Sequence, residues 1–265
     1  MDDIVNHYGA VCHPARITSM TIDNDTSPSP SRVQRVRHEL RRRDLDVLRV
    51  DTPSPHFRSV TLGGEALSGF VSASFDDHVK VIFEGGEMRD YTPRRYDAAA
   101  GELTIEFALH GEGPAAAWAA QAAPGQRLTV GGPRGSFIVP TDYAWHLLVG
   151  DETALPAISR RLEELPAGTR AIVVAQVADT ADRRALASAA QLEVQWVDDA
   201  DALLAAVRAL PLPEGEGYAW CAGEAKAMAT LRRILVDEKG HIRHAIRAAA
   251  YWKEGATAHH ENLEG

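Results

Sequence analysis

Arg89-Asp90-Tyr91-Thr92-Pro93-Arg94, then Leu103-Thr104-Ile105-Glu106-Phe107-Ala108-Leu109, then His110-Gly111-Glu112-Gly113-Pro114-Ala115-Ala116-Ala117-Trp118 form one stretch, Arg89 to Trp118, on which the reading of this chain turns. Its chemistry suits a flat, phosphorylated ligand. Tyr91 offers an aromatic face and a phenol, and Thr92 a hydroxyl. Arg89 and Arg94 offer guanidinium forks that match phosphate oxygens. Gly111 and Gly113 allow close backbone approach because no Cβ intervenes. Pro114 is suited to the first position of a helix over Ala115 to Ala120, whose free N–H groups would face a pyrophosphate.

Working outward, the residues before and within this stretch read as β-structure. Leu45 to Val50, Phe57 to Leu62, Val79 to Phe83, Leu103 to Leu109 and Arg127 to Val130 are short, rich in β-branched residues and partly alternating, and the short Phe137 to Val139 follows. Glu106 falls on the outward side of its strand. Gly63-Gly64, Gly69 and Gly131-Gly132-Pro133 punctuate the runs. Such spacing suggests an antiparallel barrel interrupted by one helix.

After Pro140 the pattern changes. Trp145 to Gly150, Arg170 to Val177, Val194 to Val197 and Tyr218 to Gly223 read as strands. They alternate with helices over Thr153 to Leu165, Ala181 to Ala190, Ala200 to Leu210 and Ala225 to Glu238. That alternation implies a parallel sheet with crossover helices. In such sheets ligands bind at the carboxyl ends of the strands. Gly150-Asp151-Glu152-Thr153-Ala154 and Gly223-Glu224 occupy two such ends. Asp151 or Glu152 also reads as the cap of the helix that follows.

Arg-Asp-Tyr-Thr-Pro, followed after one strand by His-Gly-x-Gly-Pro-Ala and a Trp, resembles the flavin motif of the siderophore-interacting proteins, a branch of the ferredoxin-NADP reductase superfamily. Gly-Asp-Glu-Thr-Ala-Leu-Pro-Ala from Gly150 is typical of that branch, and so is the terminal Arg247-x-x-x-Tyr251-Trp252. The resemblance covers Arg32 to Gly255. It implies a two-domain β plus α/β fold: a six-stranded antiparallel flavin-binding β-barrel over 32–140 and a parallel-sheet NAD(P)-binding-like α/β domain over 141–255. Residues 1–31, rich in Ser, Pro and Asp toward their end, read as a flexible leader, and 256–265 as a polar tail.

The resemblance further implies FAD held by Arg89, Asp90, Tyr91, Thr92, His110, Gly111, Gly113, Pro114, Ala115 and Trp118, with Trp252 or Tyr251 covering the ring. NADPH would meet Asp151, Glu152, Thr153, Ala154 and Glu224. Arg183 and its neighbour Arg184 stand close enough after the second strand to meet a 2′-phosphate. An anionic ferric siderophore, catecholate or hydroxamate, would dock over a basic triad, Lys80, Arg134 and Arg247. The flavin carries the chemistry, so no side chain is assigned as catalytic. The expected activity is FAD-dependent reduction of ferric siderophores, releasing Fe(II), with NAD(P)H or ferredoxin as donor. A general NADPH-dependent flavin or ferredoxin reductase and a non-enzymatic siderophore-binding protein stay open beside it.

Composition bounds these readings. The chain has 265 residues, 45% hydrophobic and 25% charged, with a formal net charge of −9. That balance argues against general nucleic-acid binding. The basic run Arg32 to Arg43 reads as a solvated lead-in to the first strand. No apolar run is long enough to span a bilayer, and the first residues lack the basic and apolar regions of a signal peptide. A cytoplasmic monomer is the default expectation. Cys12 and Cys221 make no disulfide framework. No His/Asp/Glu set has metal-ligand spacing, and the Cys12-His13 and His259-His260 pairs read as accidental.

Overall fold

The computed structural model describes residues 32–109, 113–256 and 261–262. Cys12, His13, His110, Gly111, His259 and His260 lie outside them, as does the leader over 1–31.

Alternation of apolar and polar residues builds the first half. β1 (Gln34–Arg37) pairs antiparallel with β9 (Gly135–Ile138). Between them run β2 (Arg42–Asp51), β3 (Phe57–Gly63), β4 (Val79–Ile82), β5 (Met88–Tyr91), β6 (Pro93–Asp97), β7 (Glu102–Ala108), helix α1 (Pro114–Ala120) and β8 (Arg127–Gly131). These seven strands form one antiparallel sheet in the order β5-β4-β8-β2-β3-β7-β6. Its two edge strands are consecutive in the chain and are separated only by Thr92. β5 pairs with β4 and β6 with β7, so the sheet curls until its edges meet at that residue. Inward residues such as Leu45, Val60, Val81, Leu103, Ile105 and Val130 fill the interior, with α1 contributing Ala115 and Ala119.

The barrel sheet has seven strands where six are expected. The run over 137–139 lies in the small β1–β9 sheet. The Arg-Asp-Tyr-Thr-Pro stretch itself supplies the remaining wall as β5 and β6. Its polar composition hides a strand that is half-buried against the second half of the molecule.

That second half is a sheet in the order β12-β11-β10-β13-β14-β15. It comprises β10 (Trp145–Gly150), α2 (Leu155–Glu164), β11 (Arg170–Gln176), β12 (Gln191–Val197), α3 (Ala200–Ala209), β13 (Gly217–Glu224), α4 (Ala225–Arg233), β14 (Ile246–Trp252) and β15 (Glu261–Asn262). All neighbours are parallel except β14 and β15. β10 and nearly all of β13 are buried, as expected of central strands covered on both faces. One face packs on α3 and α4 through Leu147, Val149, Leu203 and Leu231. The other packs on α2 and on Phe57 and Phe75 of the barrel half.

The helix expected over Ala181 to Ala190 does not form. A single tight turn, Thr180–Asp182, is followed by irregular chain. The face it would cover is already occupied by α2 and the barrel half. Leu186 packs against that same core, and Arg184 reaches across to Glu106 on β7 at 2.7 Å.

Candidate flavin and substrate site

A cavity of ≈ 570 Å³ opens where the two halves meet. The barrel contributes Lys80 from β4, Arg89, Asp90 and Tyr91 from β5, Thr92 from the corner, and Gly113 and Ala115 from the start of α1. The α/β half contributes Glu152, Thr153 and Trp252. Ten sequence-predicted residues from both halves therefore line one space.

Thr92 follows β5 and turns the chain into β6, and Arg89 to Thr92 line the cavity with Tyr251 and Trp252 of β14. Tyr91 packs on Phe107 with centroids 4.4 Å apart, and burial raises its phenol above its ordinary value although Arg89 opposes this. Tyr91 thus presents a neutral aromatic wall. Arg89 is half-buried, and one of its N–H groups donates to the carbonyl of Met88 at 2.8 Å. A Cβ added at Gly113 would meet nothing within 4 Å, so open space lies against that backbone.

Asp151 explains why two acids follow β10. Oδ1 accepts from the Thr153 backbone N at 2.9 Å and from its hydroxyl at 2.5 Å. Oδ2 accepts from the Glu224 backbone N at 3.0 Å and from Trp252 Nε1 at 2.8 Å. The carboxylate is buried and fully engaged. It ties together the ends of β10, β13 and β14 rather than facing the cavity. Trp252, 40% exposed, is thereby held at the cavity edge. Gly223, at φ 151°, must lack a side chain, because a Cβ there would lie 2.4 Å from Asp151 Oδ2.

Other expected residues are placed elsewhere. Glu224 caps α4, accepting from the backbone N of Lys226 and Ala227 at 2.6 and 3.0 Å. Ala154 is in the core, and Pro114 opens α1 outside the cavity lining. Trp118 packs against Phe83 and Phe107 in the barrel. Arg183 pairs with Asp198, and Arg184 lies 5.0 Å over the Phe57 ring while paired with Glu106. Neither guanidinium is presented to a phosphate. Arg94 is likewise consumed, by Glu163 and Glu106.

The basic triad separates. Lys80 Nζ lies at the cavity, 2.6 Å from Asp90 Oδ2. Arg134 is exposed on the link between β8 and β9. The Arg247 side chain is 11% exposed, paired with Asp76 (2% exposed) and lying 4.4 Å over the Phe137 ring. A guanidinium so enclosed holds the two halves together, since Asp76 also accepts from Trp220 Nε1 at 2.8 Å.

Glu106 and Tyr251 also line the cavity. Alternation does put Glu106 outside the barrel, but there it meets the α/β half rather than solvent. A second cavity, ≈ 200 Å³, opens beyond the end of β11. It shares Ala108 and Glu152 with the first and adds His56, Asp179 and Asp182. His56 Nδ1 lies 2.8 Å from Asp182 Oδ2. The Pro55-His56-Phe57 run carried no signal for this; only the fold opposes it to Asp182. Among the described residues no cluster of His, Cys, Asp and Glu is arranged to hold a metal ion.

A curled antiparallel sheet joined to a parallel α/β sheet, with a ligand-sized cavity between them, defines the two-domain fold class of the ferredoxin reductases. The fold of a ferredoxin reductase of carbazole 1,9a-dioxygenase matches with a TM-score of 0.64 at 20% identity, over 81% of this chain and 70% of that one. The particular branch follows from sequence. The chain belongs to the siderophore-interacting protein family: residues 143–255 match the siderophore-interacting protein description, and 46–87 and 84–137 match the siderophore-interacting FAD-binding domain. It is 40% identical to an NADPH-dependent ferric-chelate reductase of Escherichia coli, over 84% of this chain and 98% of that protein. It is 35% identical to the ferric vibriobactin reductase ViuB of Vibrio cholerae, over 82% and 92%. A siderophore utilization protein from T. fusca superposes with a TM-score of 0.81 at 36% identity, over 86% of this chain and 98% of that one.

Proposed function

We propose that this protein is an FAD-dependent ferric-siderophore reductase, acting in the cytoplasm with NADPH as donor. One observation carries the reading: a single ≈ 570 Å³ cavity gathers Arg89 to Thr92, Gly113 and Ala115 from the barrel with Glu152, Thr153 and Trp252 from the α/β half, and has Lys80 at its rim. The residues fit a flavin dinucleotide: an aromatic wall, a hydroxyl, a guanidinium lining the cavity and a side-chain-free backbone at Gly113. Its volume lies in the usual range of roughly 300–1,000 Å³ for cofactor sites.

When bound, FAD accepts electrons in pairs from a nicotinamide and delivers them singly to ferric iron. The protein supplies placement and charge. Tyr91 and Trp252 provide apolar walls that exclude water, and Arg89 offers its fork to phosphate oxygens. Lys80 and Arg134 attract an anionic chelate to the rim. Arg247 serves this docking surface indirectly, by fixing Asp76. Reduced iron is a weaker Lewis acid for hard oxygen donors, so the chelate loosens.

The donor approaches the carboxyl ends of β10 and β11, where the second cavity adjoins the first. Its lining carries Glu152, Asp179 and Asp182, and Glu224 occupies the start of α4 with its own carboxylate. This acidity opposes the phosphates of NADPH, which keeps a reduced ferredoxin as the second reading for the donor.

The test is the visible spectrum of the FAD-loaded protein under anaerobic conditions. A flavin spectrum that bleaches with NADPH and returns with a ferric tris-catecholate is the expected result. Bleaching only by reduced ferredoxin would transfer the donor role. Failure of Arg89→Ala to weaken FAD binding by about tenfold, an expected loss of about 1.4 kcal/mol, would remove Arg89 from the cofactor site. Absence of bound flavin would return the protein to the non-enzymatic binding reading.

A further inference from the structure

One row of residues crosses the outer face of the barrel, from the cavity to β2. Asp90 on β5 lies opposite Lys80 on β4, Lys80 opposite Gly131 on β8, and Gly131 opposite Arg42 on β2. Directly opposed residues of antiparallel strands project from the same face. Burial identifies that face as the outside: Val79, Val81, Val130 and Arg43 are buried, whereas Lys80 and Arg42 are exposed. Gly131 has no side chain, so nothing stands between Lys80 and Arg42. Two strand spacings separate their Cα atoms, about 10 Å.

The floor between them is fixed. Arg43 donates to the Gly132 carbonyl at 3.1 Å, and the Gly132 N donates to the Arg41 carbonyl at 3.0 Å. The Arg134 carbonyl accepts from the His38 N at 2.9 Å, which places the exposed Arg134 just beyond the same glycines. The next row is closed by Asp44, whose carboxylate is taken by the Thr129 hydroxyl at 2.6 Å.

Charge singles out two members. Lys80 is paired with Asp90, and Arg247 is turned inward onto Asp76. Arg42 and Arg134 have no carboxylate partner among the described residues, in a chain whose net charge is −9. Like charges held close together are unfavourable unless an anion comes between them.

We infer that Arg42 is a specificity-determining residue. With Arg134 it grips the anionic oxygen rim of a chelate lying on the Gly131-Gly132 floor, so that trianionic ferric tris-catecholates are taken in preference to neutral ferric tris-hydroxamates. The inference rests on the ferric-chelate reading above, and Arg42 takes the outer position that Arg247 does not occupy.

The test compares Arg42→Glu with Arg127→Glu in the FAD-loaded protein. Arg127 lies four residues along β8 from Gly131, about 14 Å away, so it makes the same change in net charge away from the floor. Binding of gallium(III) tris-catecholate, which is not reduced, is titrated, and KM for ferric tris-catecholate and ferric tris-hydroxamate is measured alongside. Charge reversal beside a trianion, partly screened, is expected to weaken gallium tris-catecholate binding about tenfold in Arg42→Glu and less than about twofold in Arg127→Glu. KM for the neutral hydroxamate is expected to hold within about twofold, as is the rate of flavin bleaching by the donor. Unchanged gallium-chelate affinity in Arg42→Glu, or an equal loss in Arg127→Glu, overturns the assignment. If the unmutated protein reduces no ferric chelate, the functional reading falls instead, and the gallium titration still decides the role of Arg42.

Discussion

Buried polar side chains near the β10 end of the α/β sheet show how single residues set this protein's behaviour. His146 on β10 is 0% exposed, and burial together with the neighbouring Arg161 guanidinium pushes its imidazole down to about 3. In the unfolded chain it titrates near about 6.5. Below that pH the unfolded state binds a proton that the folded state refuses. The stability His146 contributes is therefore complete above about 6.5 and is lost at about 1.4 kcal/mol per pH unit as pH falls toward 3. Denaturant unfolding from pH 7 to 4.5 is expected to show a shallower decline in His146→Phe than in the unmutated protein; parallel curves would contradict this. Asp151 works differently, through four donors. Asp151→Ala leaves Trp252 Nε1 and the Glu224 N without their acceptor, and is expected to destabilise the fold by about 3 kcal/mol. The Trp252 indole is also expected to become more mobile, visible as reduced emission anisotropy.

At the cavity, elements are also joined by paired charge. Glu106 on β7 faces Arg94 on β6 and Arg184 on the β11–β12 link, and both guanidinium groups are largely enclosed. Glu106→Gln leaves the enclosed Arg184 without its counter-ion and Arg94 with Glu163 alone, at an expected cost of about 3 kcal/mol. Because Glu106 lines the cavity, flavin retention through gel filtration should fall in step with the melting temperature; retention unchanged at a lowered Tm would separate the two roles. The β1–β9 pair depends on backbone contact. A Cβ at Gly135 would lie 2.4 Å from the Val36 carbonyl oxygen. Gly135→Ala should therefore expose the β1–β9 amides to hydrogen exchange while leaving those of β10 and β13 protected.

For the whole molecule, the cavity between the halves makes the cofactor part of their joint stability. FAD at a hundredfold its Kd is expected to add about 2.7 kcal/mol to unfolding. A single shifted transition in calorimetry would show the barrel and the α/β sheet melting together. A shift confined to one of two transitions would show that the halves unfold separately. The ties at Asp76, Arg94, Arg160 and Arg161, which cross from one half to the other, favour the single transition.

The sequence by itself determined the fold class and the position of the ligand stretch. Both depend on local signals: period-two alternation before Pro140, strand–helix alternation after it, and a Tyr, Thr, Gly and Arg set whose chemistry is readable without a partner. Ten of the expected site residues do meet in one cavity for that reason. Only the tertiary structure decided which charges are available. Arg94, Arg184 and Arg247 read as free cations along the chain, yet each is neutralised by a carboxylate distant in sequence. Asp151 and Glu224, read as ligand contacts, spend their oxygens on backbone and indole N–H groups. Arg42 reads as a solvated charge and is exposed, and only the register of the strands sets it in one row with Lys80 on the barrel's outer face. Ion pairing and register depend on through-space distance, which alternation and spacing do not encode, so the site's polarity emerges only when the two sheets close on one another.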